Sequence, residues 1–251
     1  MKTKVGVFLL AFGEPYIEKK KVILLKNLTV LKKIKETYSV TLYIFLYSVE
    51  KESIFNDIDF ETYVDKVVIH VEKGILGQFI FRHISQWHQE YDYSLFFLDD
   101  IEFPKDFDVT NMIDIYHQEN MDILGLPLTT ESFTHHNIMK VVTKYMFRET
   151  NFIELFVYFF SRKNCTKYIQ LFDNETRWCW GIDLILSTRG FRLGLYDAFP
   201  VKHYFSGVNY SQTLPHPSRE MTRLRRQHRF IHTQKVLRYK NATVSNDPMT
   251  F

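Results

Sequence analysis

The first half of the chain alternates short apolar runs with stretches of helical period, and that alternation limits the fold more than any other feature. Residues 5–11 read as a buried strand, and 40–47 and 66–71 as a second and third strand. Between the first two, residues 15–38 repeat apolar side chains at helical spacing through Ile17, Val22, Leu25, Leu28, Leu31 and Ile34. Residues 76–91 read as helix, 93–98 as a fourth strand, 107–119 as helix and 121–126 as a short fifth strand. Strands alternating with helices predict a parallel, doubly wound α/β sheet. Ligands of such sheets bind beyond the carboxyl ends of the strands. The fourth strand stops there, abruptly, on Asp99-Asp100.

The second half is less regular. The aromatic run 152–161, interrupted by Glu154, reads as strand from its Phe, Tyr, Val and Ile content. Residues 164–172 read as helix, and a second helix opens at Trp178-Cys179-Trp180-Gly181-Ile182-Asp183 and runs to about Arg189. Residues 191–196 and 201–205 read as closing strands. No repeat or Gly/Ser-rich linker marks a boundary, so 251 residues predict one domain and a tail.

Charge sets that tail apart. Eight of the 32 basic residues fall between His216 and Lys240, against Glu220 alone, which leaves 24 basic and 28 acidic residues elsewhere. A mildly acidic body with a basic tail is not the profile of a nucleic-acid binder. The tail predicts an amphipathic helix that covers the sheet edge or touches a membrane surface. No apolar run reaches the roughly 18 residues needed to cross a bilayer. The apolar residues 5–12 lack a small-residue cleavage site, so no signal peptide is expected. Cys165 and Cys179 match neither a disulfide framework nor a zinc spacing, and a reducing, cytoplasmic setting is the simplest expectation.

Four segments carry chemistry. Asp99, Asp100 and Glu102 crowd three carboxylates at the end of an apolar strand, where they must be solvated, paired or bound to a cation. A hard divalent ion that also holds a diphosphate would account for them; so would a solvated acidic turn. Trp178 and Trp180 offer a sugar-stacking surface beside Asp183, which is placed as an oriented acid or base or as a helix N-terminal carboxylate. His203 is a late histidine beside a strand. Lys73, Gly74, Gln78 and Arg82 follow the third strand, where two glycines let backbone approach a nucleotide.

In their order, strand-end acids, then Trp-Gly-x-Asp, then a late His, these segments resemble the GT-A glycosyltransferases. They are most similar to the small enzymes of large algal DNA viruses and to a plant-type family of comparable block order. The resemblance runs from about Val5 to Gly207 and is best over 91–102 and 178–203. It implies a GT-A-like domain over 1–213, with a nucleotide-sugar half (1–126) and an acceptor half (127–213), a Rossmann-like, mostly parallel sheet flanked by helices, and a basic helical tail over 214–251. It also implies Mn²⁺ or Mg²⁺ held by Asp100, Glu102 and His203 with a nucleoside-diphosphate-sugar donor, most simply a UDP-sugar. Lys73, Gly74, Gln78, Arg82, Asp99 and Asp100 would contact that donor. Asp183 would act as base in an inverting transfer to a glycan or glycoprotein hydroxyl, with Glu154, Trp178 and Trp180 on the acceptor side. The family's D-x-D triplet aligns either as Leu98-Asp99-Asp100 or as Asp100-Ile101-Glu102; both include Asp100. A nucleotidyltransferase that forms sugar nucleotides and a non-catalytic carbohydrate-binding protein are the alternatives.

Overall fold

The computed structural model describes residues 2–14, 16–47, 52–72, 75–204 and 217–242. Among these residues nine strands form one sheet, in the spatial order Val236–Asn241, Tyr145–Thr150, Leu193–Tyr196, Ile123–Gly125, Val157–Ser161, Tyr93–Leu98, Lys4–Phe12, Ser39–Leu46 and Lys66–Val71. Its parallel half comprises β1 (Lys4–Phe12), β2 (Ser39–Leu46), β3 (Lys66–Val71) and β4 (Tyr93–Leu98). β1 and β2 are buried almost end to end because helices cover both faces of the sheet, so their sequences run apolar without alternation.

Helix α1 (Ile17–Thr37) returns from β1 to β2 and buries Ile23, Leu24, Leu28, Leu31 and Ile34 against the sheet. The same face carries Asn27, fully buried: its amide donates to the Ile101 carbonyl at 2.7 Å and accepts from the Phe103 N–H at 2.9 Å. Asn27 thereby fixes β5 (Ile101–Glu102), the two residues that follow the Asp99-Asp100 turn. After β3, the expected helix is broken into α2 (Leu76–Phe79), a π-turn (Ile80–Ile84), α3 (Ser85–Trp87) and a 3₁₀ turn (His88–Glu90).

Beyond β4 the sheet is mixed. Helix α4 (Val109–Gln118) leads to β6 (Ile123–Gly125), and β7 (Tyr145–Thr150) and β8 (Val157–Ser161) follow. β8 lies between β4 and β6 and is antiparallel to both. Helix α5 (Arg162–Ile169), the short α6 (Ile182–Ile185) and β9 (Leu193–Tyr196) come next; β10 (Lys202–His203) pairs antiparallel with β5, away from the main sheet. The sheet is mostly parallel, as expected, with β7 and β8 alone running against the other seven strands. The aromatic run 152–161 is strand only from Val157; the residues before it form a buried loop.

The basic segment is not wholly helical. Helix α7 (Pro217–Gln227) buries Leu224 and Glu220, and β11 (Val236–Asn241) adds an antiparallel edge strand beside β7. Arg238 pairs with Glu119 at 2.6 Å and Glu149 at 3.0 Å, and Lys240 with Glu119 at 2.5 Å. Part of the tail's positive charge is therefore spent inside the fold. Among the described residues, no helix is long and apolar enough to cross a membrane.

Candidate active site

The carboxyl end of β4 carries two adjacent aspartates with different surroundings. Asp99 closes inward: its Oδ2 accepts from Lys20 Nζ on α1 at 2.7 Å and from the Gly13 N–H at 3.3 Å. Lys20, itself buried, also donates to the Gly13 carbonyl at 2.7 Å. Burial pushes the Asp99 carboxyl above the usual range, and Lys20 offsets only part of that.

Asp100 turns the other way. Its Oδ2 lies 3.1 Å from His203 Nε2, while its Oδ1 is buried with no hydrogen-bond partner among the described residues. The pairing of β5 with β10 sets this contact: His203 stands opposite Ile101, and the Tyr204 N–H donates to the Asp100 carbonyl at 3.1 Å. The other ring nitrogen, Nδ1, donates to the Phe133 carbonyl at 2.9 Å, which aims Nε2 at Asp100. Burial disfavours the imidazolium, but Asp100 outweighs it and raises the His203 pKa. A buried carboxylate oxygen left unpartnered beside an aimed imidazole fits a divalent cation, with the remaining coordination positions left for a diphosphate.

A second carboxylate cluster continues from His203. The loop 152–156 enters β8 next to the end of β4, with the Leu98 N–H donating to the Phe156 carbonyl at 3.2 Å. Phe156 packs on the His203 ring, centroids 4.7 Å apart. Glu154 accepts from Thr134 Oγ1 at 3.4 Å and feels the His203 charge, yet burial pushes its carboxyl up to about 7. Asp183, in the first turn of α6, is raised well above the carboxylate range by burial and then by the Glu154 charge. The Tyr158 hydroxyl, shared with the Ile153 carbonyl at 2.8 Å, reaches Asp183 Oδ1 at 3.1 Å. Asp100, His203, Glu154 and Asp183 thus form one polar file from the β4 terminus to α6, all partly open to solvent.

No protein-family model matches the sequence, and no curated protein matches it in sequence. Solved structures do match in fold. The chain superposes on GalNAc-T7, solved with UDP, GalNAc and Mn²⁺, with a TM-score of 0.59, 11% identity and coverage of 89% of this chain and 48% of that one. TarS of S. aureus matches with a TM-score of 0.54 and 13% identity over 80% of this chain and 59% of that one. TarS in complex with UDP-GlcNAc gives 0.51 and 10% identity, over 85% and 61%. The fold is that of the GT-A glycosyltransferases. This chain spans about half to three-fifths of the length of those GT-A chains.

Within this GT-A fold only some of the residues singled out from sequence converge. Asp100, His203, Glu154 and Asp183 come together. Glu102 stands in a separate contact, its Oε2 engaged by Lys26 at 2.7 Å and the Tyr204 hydroxyl at 2.5 Å, and among the described residues it forms no three-ligand cluster with Asp100 and His203. Arg82 is likewise engaged, donating to Glu72 at 2.7 Å. Gln78 lies in α2, and Lys73 and Gly74 lie outside the described residues. Trp178 and Trp180, both partly exposed, flank Cys179, which adopts a left-handed φ of 64°.

Two supports of that loop escaped the sequence reading. Glu220 of α7, the one acid of the basic segment, accepts from the Arg177 and Trp178 N–H groups at 2.7 and 2.9 Å. Gly77 of α2 donates its N–H to the Arg177 carbonyl at 2.6 Å, and a Cβ there would stand 2.6 Å from the Thr176 carbonyl oxygen. Only glycine permits that approach. An isolated acid in a basic stretch was the signal for Glu220; nothing local pointed to its partners.

Proposed function

We propose that the protein is a metal-dependent glycosyltransferase that moves a sugar from a nucleoside-diphosphate sugar, a UDP-sugar by preference, to a hydroxyl of a glycan acceptor with inversion. The observation that carries this reading is the orphaned, buried Oδ1 of Asp100 beside His203 Nε2, contiguous with the Glu154–Asp183 carboxylates. Asp100 and His203 would hold the cation, and Glu102 would join only by leaving Lys26. A bound Mn²⁺ or Mg²⁺ supplies Lewis-acid neutralisation of the departing diphosphate.

The chain's own residues do the rest. Asp183 takes the proton of the acceptor hydroxyl as it attacks the anomeric carbon. Loss of water around it and the nearby Glu154 charge make its carboxylate a stronger base than one in water, and the Tyr158 hydroxyl orients it. Glu154, its carboxyl near neutrality, binds acceptor hydroxyls in either protonation state. Trp178 and Trp180 present flat apolar faces to the acceptor sugar. The donor is read into residues 1–126 and the acceptor into 127–213. The UDP carried by GalNAc-T7 and the UDP-GlcNAc carried by TarS in structures of this fold make a UDP-sugar the first donor to test.

The test is release of nucleoside diphosphate from a panel of UDP-sugars, with and without Mn²⁺. Slow release that requires the metal and quickens with a glycan acceptor supports the proposal. Turnover only with added pyrophosphate, to UTP and a sugar 1-phosphate, or binding without turnover across the panel, overturns it.

A further inference from the structure

A second cluster of metal-ligating side chains lies on the edge strand of the sheet, outside the file of Asp100 to Asp183. His70 is on β3, Glu72 follows its last residue, and His83 is in the π-turn. Both imidazoles aim Nε2 at one oxygen, Glu72 Oε2, at 3.0 Å from His70 and 2.6 Å from His83. Their ring centroids are 4.0 Å apart. Among the described residues these three form the one group whose ligand atoms all lie within 4.8 Å of one another.

The arrangement is built rather than incidental. Trp87 stacks on His83, with centroids 5.4 Å apart and planes 27° from parallel, and meets His70 edge-on at 5.9 Å. Phe45 lies 6.0 Å from His70 and 6.3 Å from His83, so aromatic rings hold both imidazoles in place. Arg82 Nη1 donates to the other carboxylate oxygen, Oε1, at 2.7 Å. That bond orients Glu72 and leaves Oε2 directed at the histidines, as an outer partner does at a metal ligand. All three side chains keep between 21 and 29% of their surface in solvent, which leaves an entry path.

We propose that His70, Glu72 and His83 form a three-ligand site for a borderline transition-metal ion, Zn²⁺ first, distinct from the cation position at Asp100 and His203. Ligand atoms around a four-coordinate zinc stand roughly 3.4 Å apart, given metal–ligand distances of about 2.0–2.1 Å. The present spacing reaches that with small side-chain shifts. Two imidazoles and one carboxylate are a zinc-type donor set, whereas Mg²⁺ and Mn²⁺ prefer oxygen. Three protein ligands leave the fourth position to water or an exchangeable anion.

The test uses the full chain, stripped with chelator and titrated with Zn²⁺, with Trp87 as an internal reporter through Cu²⁺ or Co²⁺ quenching of tryptophan fluorescence. One Zn²⁺ should bind per chain, and zinc should raise the melting temperature. His83→Ala and His70→Ala should each weaken zinc at least tenfold and abolish that rise, while Asp100→Asn leaves both intact. Circular dichroism of the metal-free variants checks folding, and His83→Gln, which keeps most of the side-chain volume, replaces any variant that fails to fold. Zinc binding unchanged in the histidine variants, or lost in Asp100→Asn, would overturn the assignment.

Discussion

Asp99 and Asp100 are neighbours in sequence, yet they belong to opposite kinds of site. Around Asp99 the polar groups close on one another: Oδ2 accepts from both Lys20 and the Gly13 N–H, and Lys20 also answers the Gly13 carbonyl. Around Asp100 the account stays open, with Oδ1 buried and unpartnered beside an imidazole that Phe133 holds in place. A satisfied buried cluster fixes where the chain runs; an unsatisfied one persists only where something else completes it. The first is read here as support and the second as the binding site.

The most damaging way to break this contrast is to open the closed side. Lys20→Met leaves the Asp99 carboxylate buried without its cation, at a cost of about 3–5 kcal/mol. Urea unfolding of Lys20→Met, Asp99→Asn and the double variant measures it. The double variant should recover much of the loss, because no unpaired charge remains; strictly additive losses would show that the pair does not act as a unit.

Next in size is Asp183, the proposed base at the far end of the open side. Asp183→Asn keeps shape but removes basicity, so turnover should fall by roughly 10²–10⁴-fold while donor affinity survives. Equal loss of donor binding would place Asp183 on the nucleotide side or in a purely structural role. Tyr158→Phe sharpens the same point with a smaller effect. Loss of its hydrogen bond to the ionised form should raise the Asp183 pKa further, moving the acid limb of the pH–rate profile upward with a drop in rate of about tenfold. An unmoved acid limb would remove Tyr158 from the mechanism.

The smallest expected effect is on stability against pH. Glu154 keeps its proton in the folded state up to about pH 7, whereas an exposed glutamate loses it near 4.5. Between those values the folded state binds more protons than the unfolded one, so stability falls as pH rises through that window. Glu154→Gln should be indistinguishable from the parent near pH 4 and more stable by about 1–2 kcal/mol at pH 8, a figure reduced because Glu154 keeps part of its surface in water. Thermal melts at the two pH values check it; a variant equally stabilised at both would remove the titration from the explanation.

The same contrast explains what could be read before the structure. β3 and β4 were legible to the residue because both are apolar runs bounded by charge. The whole of β7 was missed, because Arg148 at its centre reads as surface. It is buried because Asp197, on a distant turn, accepts two of its N–H groups at 2.7 and 2.8 Å and the Ile138 and Lys140 carbonyls accept two more. Asp100, His203 and Asp183 were legible as residue types in a characteristic order. Their division of labour was not, since the partners that set it, Lys20 for Asp99 and Lys26 for Glu102, arrive from α1 some 76 to 79 residues earlier. Likewise the two-residue strand β5 carries no pattern of its own and exists only by pairing across a hundred residues with β10, which lies inside the run 201–205 read as strand.

The central claim is that the open aspartate, not the closed one, holds the cation and the diphosphate. Mn²⁺ titration followed by electron paramagnetic resonance in the presence of UDP, on folded Asp100→Asn and Asp99→Asn variants, tests it directly. Asp100→Asn should weaken Mn²⁺-dependent UDP binding at least tenfold, with Asp99→Asn within about threefold of the parent. Loss in Asp99→Asn with retention in Asp100→Asn would contradict it.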